Sequence, residues 1–539
     1  MSYYYTNHLN GHIGFVLNKL IFKNHKIFGK NFEVLFMEGN DFNQSFSLQA
    51  PYTSLIIGAN GTGKSLLLKE ISDILLDLQT LKENQINQKK HIQKYNNSLF
   101  YLSYYLDGSF FEISNYEKRS TSDNEFVKTI LKIKINKVDQ IIDHLLLPEN
   151  IIVSSLLLND KFTLTQKFPE YYKYLGVRSI SSPGVARTRN YVKRTVDLVI
   201  NCLGSANTEI NCKISNLLSF LNFEDVFTIQ YTPKYRDKFY TGFLTKDAFT
   251  QLFNNYNHDD LGFSKRKSEI FKPFGVTYFE NKIRDDNEIL EKIVEFLNFI
   301  SKSGFLIPKE KSRTLVFEFD LLNKKLRLDQ YELLNHLQSL DLLSFPSIIV
   351  NRNNENINLE ETSSGEYHIL SNLIGLYASI NHNSIILLDE PEISLHPNWQ
   401  MRYMSFIKDL FKDYPSCHFL ITSHSHFFAS DLDGRSSKIV GLKRGADNIG
   451  IVDLPKDINT YGWSAEEILL NIFKVSTSRN YFVAEKLGLI LDFIADPKST
   501  AESIKDKFYE LEIDKLKNLS NEDPLKVVYD TIIKEYVSN

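Results

Sequence analysis

The stretch Gly58-Ala59-Asn60-Gly61-Thr62-Gly63-Lys64-Ser65 constrains the fold more than any other part of this chain. It follows the short apolar run Ser54 to Ile57 and precedes Leu66, Leu67, Ile71, Ile74 and Leu75, which recur at helical spacing. A buried strand, a glycine-rich loop and an amphipathic helix are therefore expected in succession. The order Gly, four residues, Gly-Lys-Ser is that of a phosphate loop. Glycines let the backbone turn so that successive N–H groups face one anion, and the N-terminus of the following helix adds its dipole. Gly58, Asn60, Gly61 and Gly63 would shape the cradle, Lys64 would reach the β- and γ-phosphates, and the Ser65 hydroxyl would hold Mg²⁺. The competing reading is a tight strand-to-helix turn that is glycine-rich for steric reasons alone. The match of every position in the right context favours ATP with Mg²⁺.

A second element, Ile385-Ile386-Leu387-Leu388-Asp389-Glu390, is an apolar run ending in two acids. Parallel strands present functional side chains at their C-terminal ends, beside the phosphate loop in this kind of sheet. Asp389 would bind Mg²⁺ through water and Glu390 would polarise an attacking water. Two acids after a strand are often only a solvated loop, and it is the upstream phosphate loop that shifts the balance.

At 539 residues the chain exceeds one ordinary core, and an apolar fraction of 42% with a net charge of −4 describes a globular protein that does not coat nucleic acid by bulk charge. No run is apolar for long enough to form a membrane helix, so no membrane partner is expected. The N-terminus lacks the order of a signal peptide, and Cys202, Cys212 and Cys417 fit neither a disulfide framework nor a zinc site. A cytoplasmic protein is the expectation. Further strands are read at Gly14 to Phe22, Phe32 to Met37, Tyr101 to Ile113 and Ile151 to Leu158. The region from about Ser181 to Leu340 loses this regularity and offers one clear helix, Ile289 to Ile300, capped by Asp286 or Asn287. Regularity then returns, with helices at Glu366 to Ile380 and about Asn398 to Phe411 alternating with strands at Ser384 to Leu388 and His418 to Thr422. The expected architecture is α/β, a mostly parallel sheet flanked by helices. It divides into an N-terminal head segment 1–180, a large, mainly helical insertion 181–345, a second head segment 346–450 and a helical C-terminal region 451–539. The acid-free cluster Arg178, Arg187, Arg189, Lys193 and Arg194 would hold nucleic acid or simply form a solvated face.

The phosphate loop and the acidic strand end resemble those of the ABC ATPase superfamily, in particular its SMC-like branch. Thr362-Ser363-Ser364-Gly365-Glu366 is similar to the signature of that branch, and the resemblance implies that Ser363, Ser364 and Gly365 touch the γ-phosphate of ATP held by another protomer. Hydroxyls and free N–H groups at the start of a helix suit that task, although the same residues suit a plain helix cap. His424, after Leu420 to Ser423, resembles the switch histidine that contacts the γ-phosphate. Pro391 to Pro397 looks like the loop that crosses the dimer interface in soluble relatives, and Gln166 is the candidate for the glutamine that senses Mg²⁺. His396 and His426 near Asp389 lack the spacing of a metal site.

Tyr461 to Leu469 and Thr477-Ser478-Arg479-Asn480 resemble the C-terminal region of bacterial anti-phage defence ATPases of the Septu (PtuA-like) and retron systems. The resemblance implies a homodimer that binds ATP at its interface, hydrolyses it and regulates a separate HNH-type, PtuB-like nuclease. A reverse transcriptase with retron nucleic acid is a further implied partner. The alternatives are a self-sufficient ATP-dependent nuclease of the overcoming-lysogenization type, a DNA-repair or SMC-like ATPase, and a transporter cassette.

Overall fold

A computed structural model describes residues 14–37, 50–84, 98–118, 126–178, 195–197, 208–254, 274–308, 315–320, 328–473, 481–519 and 523–537, apart from positions 158, 166, 235, 304, 394, 433, 435, 446–447, 453 and 455–458. The chain forms two compact units, Met1–Asn459 and Thr460–Asn539. The first begins with β1 (Val16–His25) and β2 (Gly29–Leu35), which pair antiparallel, and continues through β3 (Tyr52–Gly58) into helix α1 (Lys64–Asn84). Leu67, Leu68, Ile71, Ile74, Leu75 and Leu78 of α1 are fully buried, the spacing of one helical face.

The segment expected to be one strand, Tyr101 to Ile113, is instead a hairpin of β4 (Leu99–Leu106) and β5 (Ser109–Lys118). Asp107 and Gly108 form its turn at φ values of 48° and 79°, the paired positive angles that match the twist of a two-residue hairpin. With β6 (Phe126–Ile135) and β7 (Val138–Gln140) these strands complete an antiparallel sheet in the order β2-β1-β4-β5-β6-β7.

The second sheet carries the candidate site. Its order is β18-β17-β3-β16-β15-β8-β9, from β8 (Ile151–Ser155), β9 (Tyr172–Tyr174), β15 (Ile385–Asp389), β16 (His418–Ser423), β17 (Ser437–Arg444) and β18 (Ile449–Ile451). Every pairing is parallel except β17 with β18. Parallel strands covered on both faces read as continuous apolar runs, and β15 and β16 are buried along their whole length. Helix α1 packs across β3, β15 and β16, while the helix Ser364–Ser379 packs on β8.

The region read as an irregular, mainly helical insertion supplies a third sheet as well as helices. Its strands are β10 (Phe227–Tyr231), β11 (Leu306–Pro308) and β12 (Leu315–Asp320), joined by β13 (Ser347–Arg352) and β14 (Glu355–Asn358) in the order β11-β12-β10-β13-β14. Besides Asn287–Lys302, which Asp286 caps by accepting from Glu288 and Ile289, it holds the helices Thr208–Phe220, Lys246–Asn254 and Leu328–Ser339. In the second unit Ser464 and Glu467 form a capping box at Ala465–Asn471, and Leu487, Ile490, Ile504, Phe508 and Ile532 make a separate core. No described helix is long and apolar enough to cross a membrane.

One buried imidazole ties the first two of these sheets together. His418 accepts from the Leu17 amide at Nδ1 (3.0 Å), and its Nε2 lies 2.9 Å from Ser54 Oγ. With Nδ1 an acceptor, Nε2 carries the hydrogen, so the ring is neutral and fully satisfied. Burial pushes its pKa from 6.5 down to about 3. The unfolded chain therefore takes up a proton near pH 6.5 that the folded chain refuses until about pH 3, and stability is lost as pH falls through that window. Relative to His418→Gln, the native chain should lose about 1.4 kcal/mol of unfolding free energy per pH unit below pH ~6.5. Urea unfolding of both proteins between pH 7 and pH 5 measures this, and a difference that does not change with pH would contradict it.

Candidate nucleotide site

The C-terminal ends of β3, β16 and β15 lie level, because Ile57 pairs with Ser423 and Thr422 pairs with Asp389. The residues that follow each strand, the Gly58 loop, His424 and Glu390, are thereby delivered to one place. Gly61 and Gly63 take φ values of +78° and +81°, which side chains rarely tolerate. Thr62 is buried between them and its hydroxyl donates to the Ala59 carbonyl at 2.8 Å, which leaves Ala59, Asn60 and Gly61 exposed at the tip. Lys64 is buried at the start of α1, where its ammonium donates to the Gly58 carbonyl at 3.1 Å.

Lys64 Nζ lies 2.6 Å from His424 Nε2 and 3.9 Å from Glu390 Oε1, and the same His424 nitrogen is 3.1 Å from Glu390 Oε1. A single imidazole nitrogen cannot accept from the ammonium and donate to the carboxylate at once. The three groups are thus held close with one bond too few. Burial lowers the Lys64 pKa, opposed by the charges of Glu390, Asp389 and Glu392. The Glu390 pKa is lowered by its hydrogen bond to His424, against burial and with help from Lys64.

The two acids are fixed by a residue whose part the sequence did not reveal. Thr422 Oγ1 donates to Asp389 at 2.7 Å and accepts from the Glu390 amide at 3.0 Å. Ser65 also hydrogen-bonds Asp389, and burial raises the pKa of that carboxyl against these bonds. Glu390 leaves the strand at φ +50°, an uncommon angle for a residue with a side chain. Glu392 belongs to the Pro391 to Pro397 segment. Its buried carboxylate accepts from the His424 amide at 2.6 Å, while burial pushes its pKa up. Its signal in the sequence is a further acid close behind Asp389 and Glu390, facing a strand end that only the fold brings near.

Other candidates have different surroundings. Ser363 caps the helix Ser364–Ser379 in a capping box with Glu366, and Glu366 is bound by Arg352 of β13. Gly365 is buried in the first turn, and Ser364 opens the helix. The contacts of Ser363 thus run to its own helix. His396 caps Pro397–Leu410, and the His426 ring lies against Phe427. Arg178 is spent within the fold, its Nε donating to the buried Asp160 at 2.8 Å. Gln166, Ser394 and the basic residues Arg187, Arg189, Lys193 and Arg194 lie outside the described residues, as does Thr477 to Asn480.

Residues 16–429 match a family described as AAA ATPase domain, and the chain belongs to that family. It is similar to Septu protein PtuA of Bacillus thuringiensis, with 26% identity over 177 residues, 30% of this chain and 42% of that protein. It is also similar to the Retron Ec83 probable ATPase of Escherichia coli, with 29% identity over 158 residues that span 27% of each chain. The alignments thus cover less than half the length of either relative. Among solved structures, the SMC head domain from Thermotoga maritima aligns over 81% of this chain and 99% of that one, at 12% identity and a TM-score of 0.33.

Thr422→Val keeps the shape of the side chain but leaves the buried Asp389 oxygen without its donor. The expected cost is about 1–3 kcal/mol, and Thr422→Ser, which keeps the hydroxyl, should cost less. Urea denaturation compares the two, and equal midpoints would remove the hydroxyl from its role.

Proposed function

We propose that this member of the AAA ATPase domain family binds ATP with Mg²⁺ between the Gly58–Ser65 loop and the ends of β15 and β16, and hydrolyses it. The observation that carries this reading is the convergence of Lys64, His424 and Glu390 beside the glycine loop. A terminal phosphate would give the ammonium and the imidazole an anionic partner and release Glu390 to orient a water. The donor set fits a hard divalent cation, since Ser65 and Asp389 offer oxygens only. When bound, Mg²⁺ would neutralise phosphate charge, and Gln166, outside the described residues, is the proposed sensor. The tie from Thr422 to both acids keeps Asp389 on the metal side and Glu390 on the water side.

In the same reading two copies of the chain close each site together, with Ser363, Ser364 and Gly365 of one facing the phosphate held by the other. The capping box on Ser363 supports this, because it holds the start of the helix and its dipole in a fixed direction. Similarity to Septu PtuA and to the retron ATPase supports a role in bacterial anti-phage defence, in which ATP turnover regulates a separate HNH-type nuclease in the cytoplasm. A reverse transcriptase with its nucleic acid would be the partner in a retron setting.

Lys64→Ala should abolish ATP binding, because its charge acts where water is scarce. Ser363→Arg should bind ATP and fail to close. Each variant alone should be inactive, while an equimolar mixture should recover up to about a quarter of native turnover, since half of random dimers keep one intact site of two. A steady-state ATPase assay measures it. Activity in the Ser363→Arg variant alone, or none in the mixture, would contradict pairing between copies.

A further inference from the structure

The glycines of the phosphate loop make room for protein as well as for a ligand. A β-carbon on Gly58 would stand 2.5 Å from the Leu442 carbonyl oxygen, one on Gly63 would stand 2.6 Å from Ile449 Cδ1, and one on Gly61 would stand 3.3 Å from Arg444 Nη1. Leu442, Arg444 and Ile449 belong to a single feature, the hairpin of β17 and β18. Arg444 pairs with Ile449 across it, and the Gly445 amide closes it on the Asn448 carbonyl at 2.7 Å. The parallel pairing of Leu442 with Gly58 fixes the hairpin against the loop, so main-chain register places the backbone of Arg444 beside the loop. The side chain is exposed, and it forms no ion pair with an acid among the described residues.

We propose that Arg444 is a second cationic contact to the phosphate tail of the bound nucleotide, laid over the bare backbone of Gly61 by the β17–β18 hairpin. The inference rests on the ATP reading above and adds a residue to it. Gly61 belongs to the exposed tip of the loop, whose amides face an anion in a phosphate cradle. An arginine there adds a planar fork of donors suited to phosphate oxygens. Lys64 serves the phosphates from the buried side of the loop, at the start of α1, and Arg444 serves them from the exposed side. The hairpin thus forms a wall of the site, and the glycines are needed so that this wall can approach.

Calorimetric titration of the full chain with ATP and Mg²⁺ tests this on Arg444→Ala, Arg444→Glu and Lys64→Ala, with melting temperatures as a check on folding. Arg444→Ala should weaken ATP binding about tenfold and Arg444→Glu more, at unchanged melting temperature because the side chain is exposed. If Arg444→Ala melts early, Arg444→Gln, which keeps most of the bulk, must show the same loss. Affinities within about twofold of native in the Arg444 variants, with binding lost in Lys64→Ala, would overturn the Arg444 contact and leave the ATP site standing. Native affinity in Lys64→Ala would overturn the site itself and the proposal with it.

Discussion

The parallel register of β3, β16 and β15 is the constraint on which everything at the site depends. The pairs Ile57 with Ser423 and Thr422 with Asp389 bring three strand ends, far apart in sequence, to the same height. A slip of one residue between β15 and β16 would turn Asp389 to the opposite face and separate Thr422 from both acids, and one between β3 and β16 would put the Gly58 loop out of step with His424. The ladder is held at its other end by His418, which joins β1, β3 and β16 through hydrogen bonds at both ring nitrogens. A neutral, fully buried ring at the start of the strand thus helps to set the position of catalytic candidates at its finish.

Around those strand ends the charges are arranged in competition rather than in pairs. Lys64 and Glu390 both address one nitrogen of His424, while Glu392 holds the backbone of the same residue. The reading as a phosphate site rests on that convergence of charge beside a glycine loop, both within the residues that the family match spans.

Local periodicity made the core of this arrangement legible in the sequence. The strand, glycine loop and helix from Ser54 to Leu75 are fixed by neighbours a few residues apart, and so are the helix caps at Asp286 and Ser464. The hairpin at Asp107-Gly108 was present as a turn signal but masked by the aromatic run on both sides. Features set by distant pairing stayed hidden. β10 joins β12 through Thr228 and Asp320, and nothing near Thr228 announces that partner. Thr422 was visible only as a polar residue in an apolar strand, since its two bonds cross to β15 and require the register. Arg178 looked like part of a basic patch because its partner, Asp160, lies before β9. The approach of Arg444 to Gly61 likewise depends on the parallel pairing of β17 with β3.

In the proposed reaction Glu390 acts on a water beside ATP held by the Gly58–Ser65 loop. Glu390→Gln keeps the size of the side chain and removes its ability to take a proton. Single-turnover hydrolysis of bound ATP, measured with the binding affinity of the same variant, separates chemistry from binding. Retained affinity with hydrolysis slowed at least about a hundredfold is the expected result. Hydrolysis at the native rate would show that the acid at the end of β15 is not part of the chemistry.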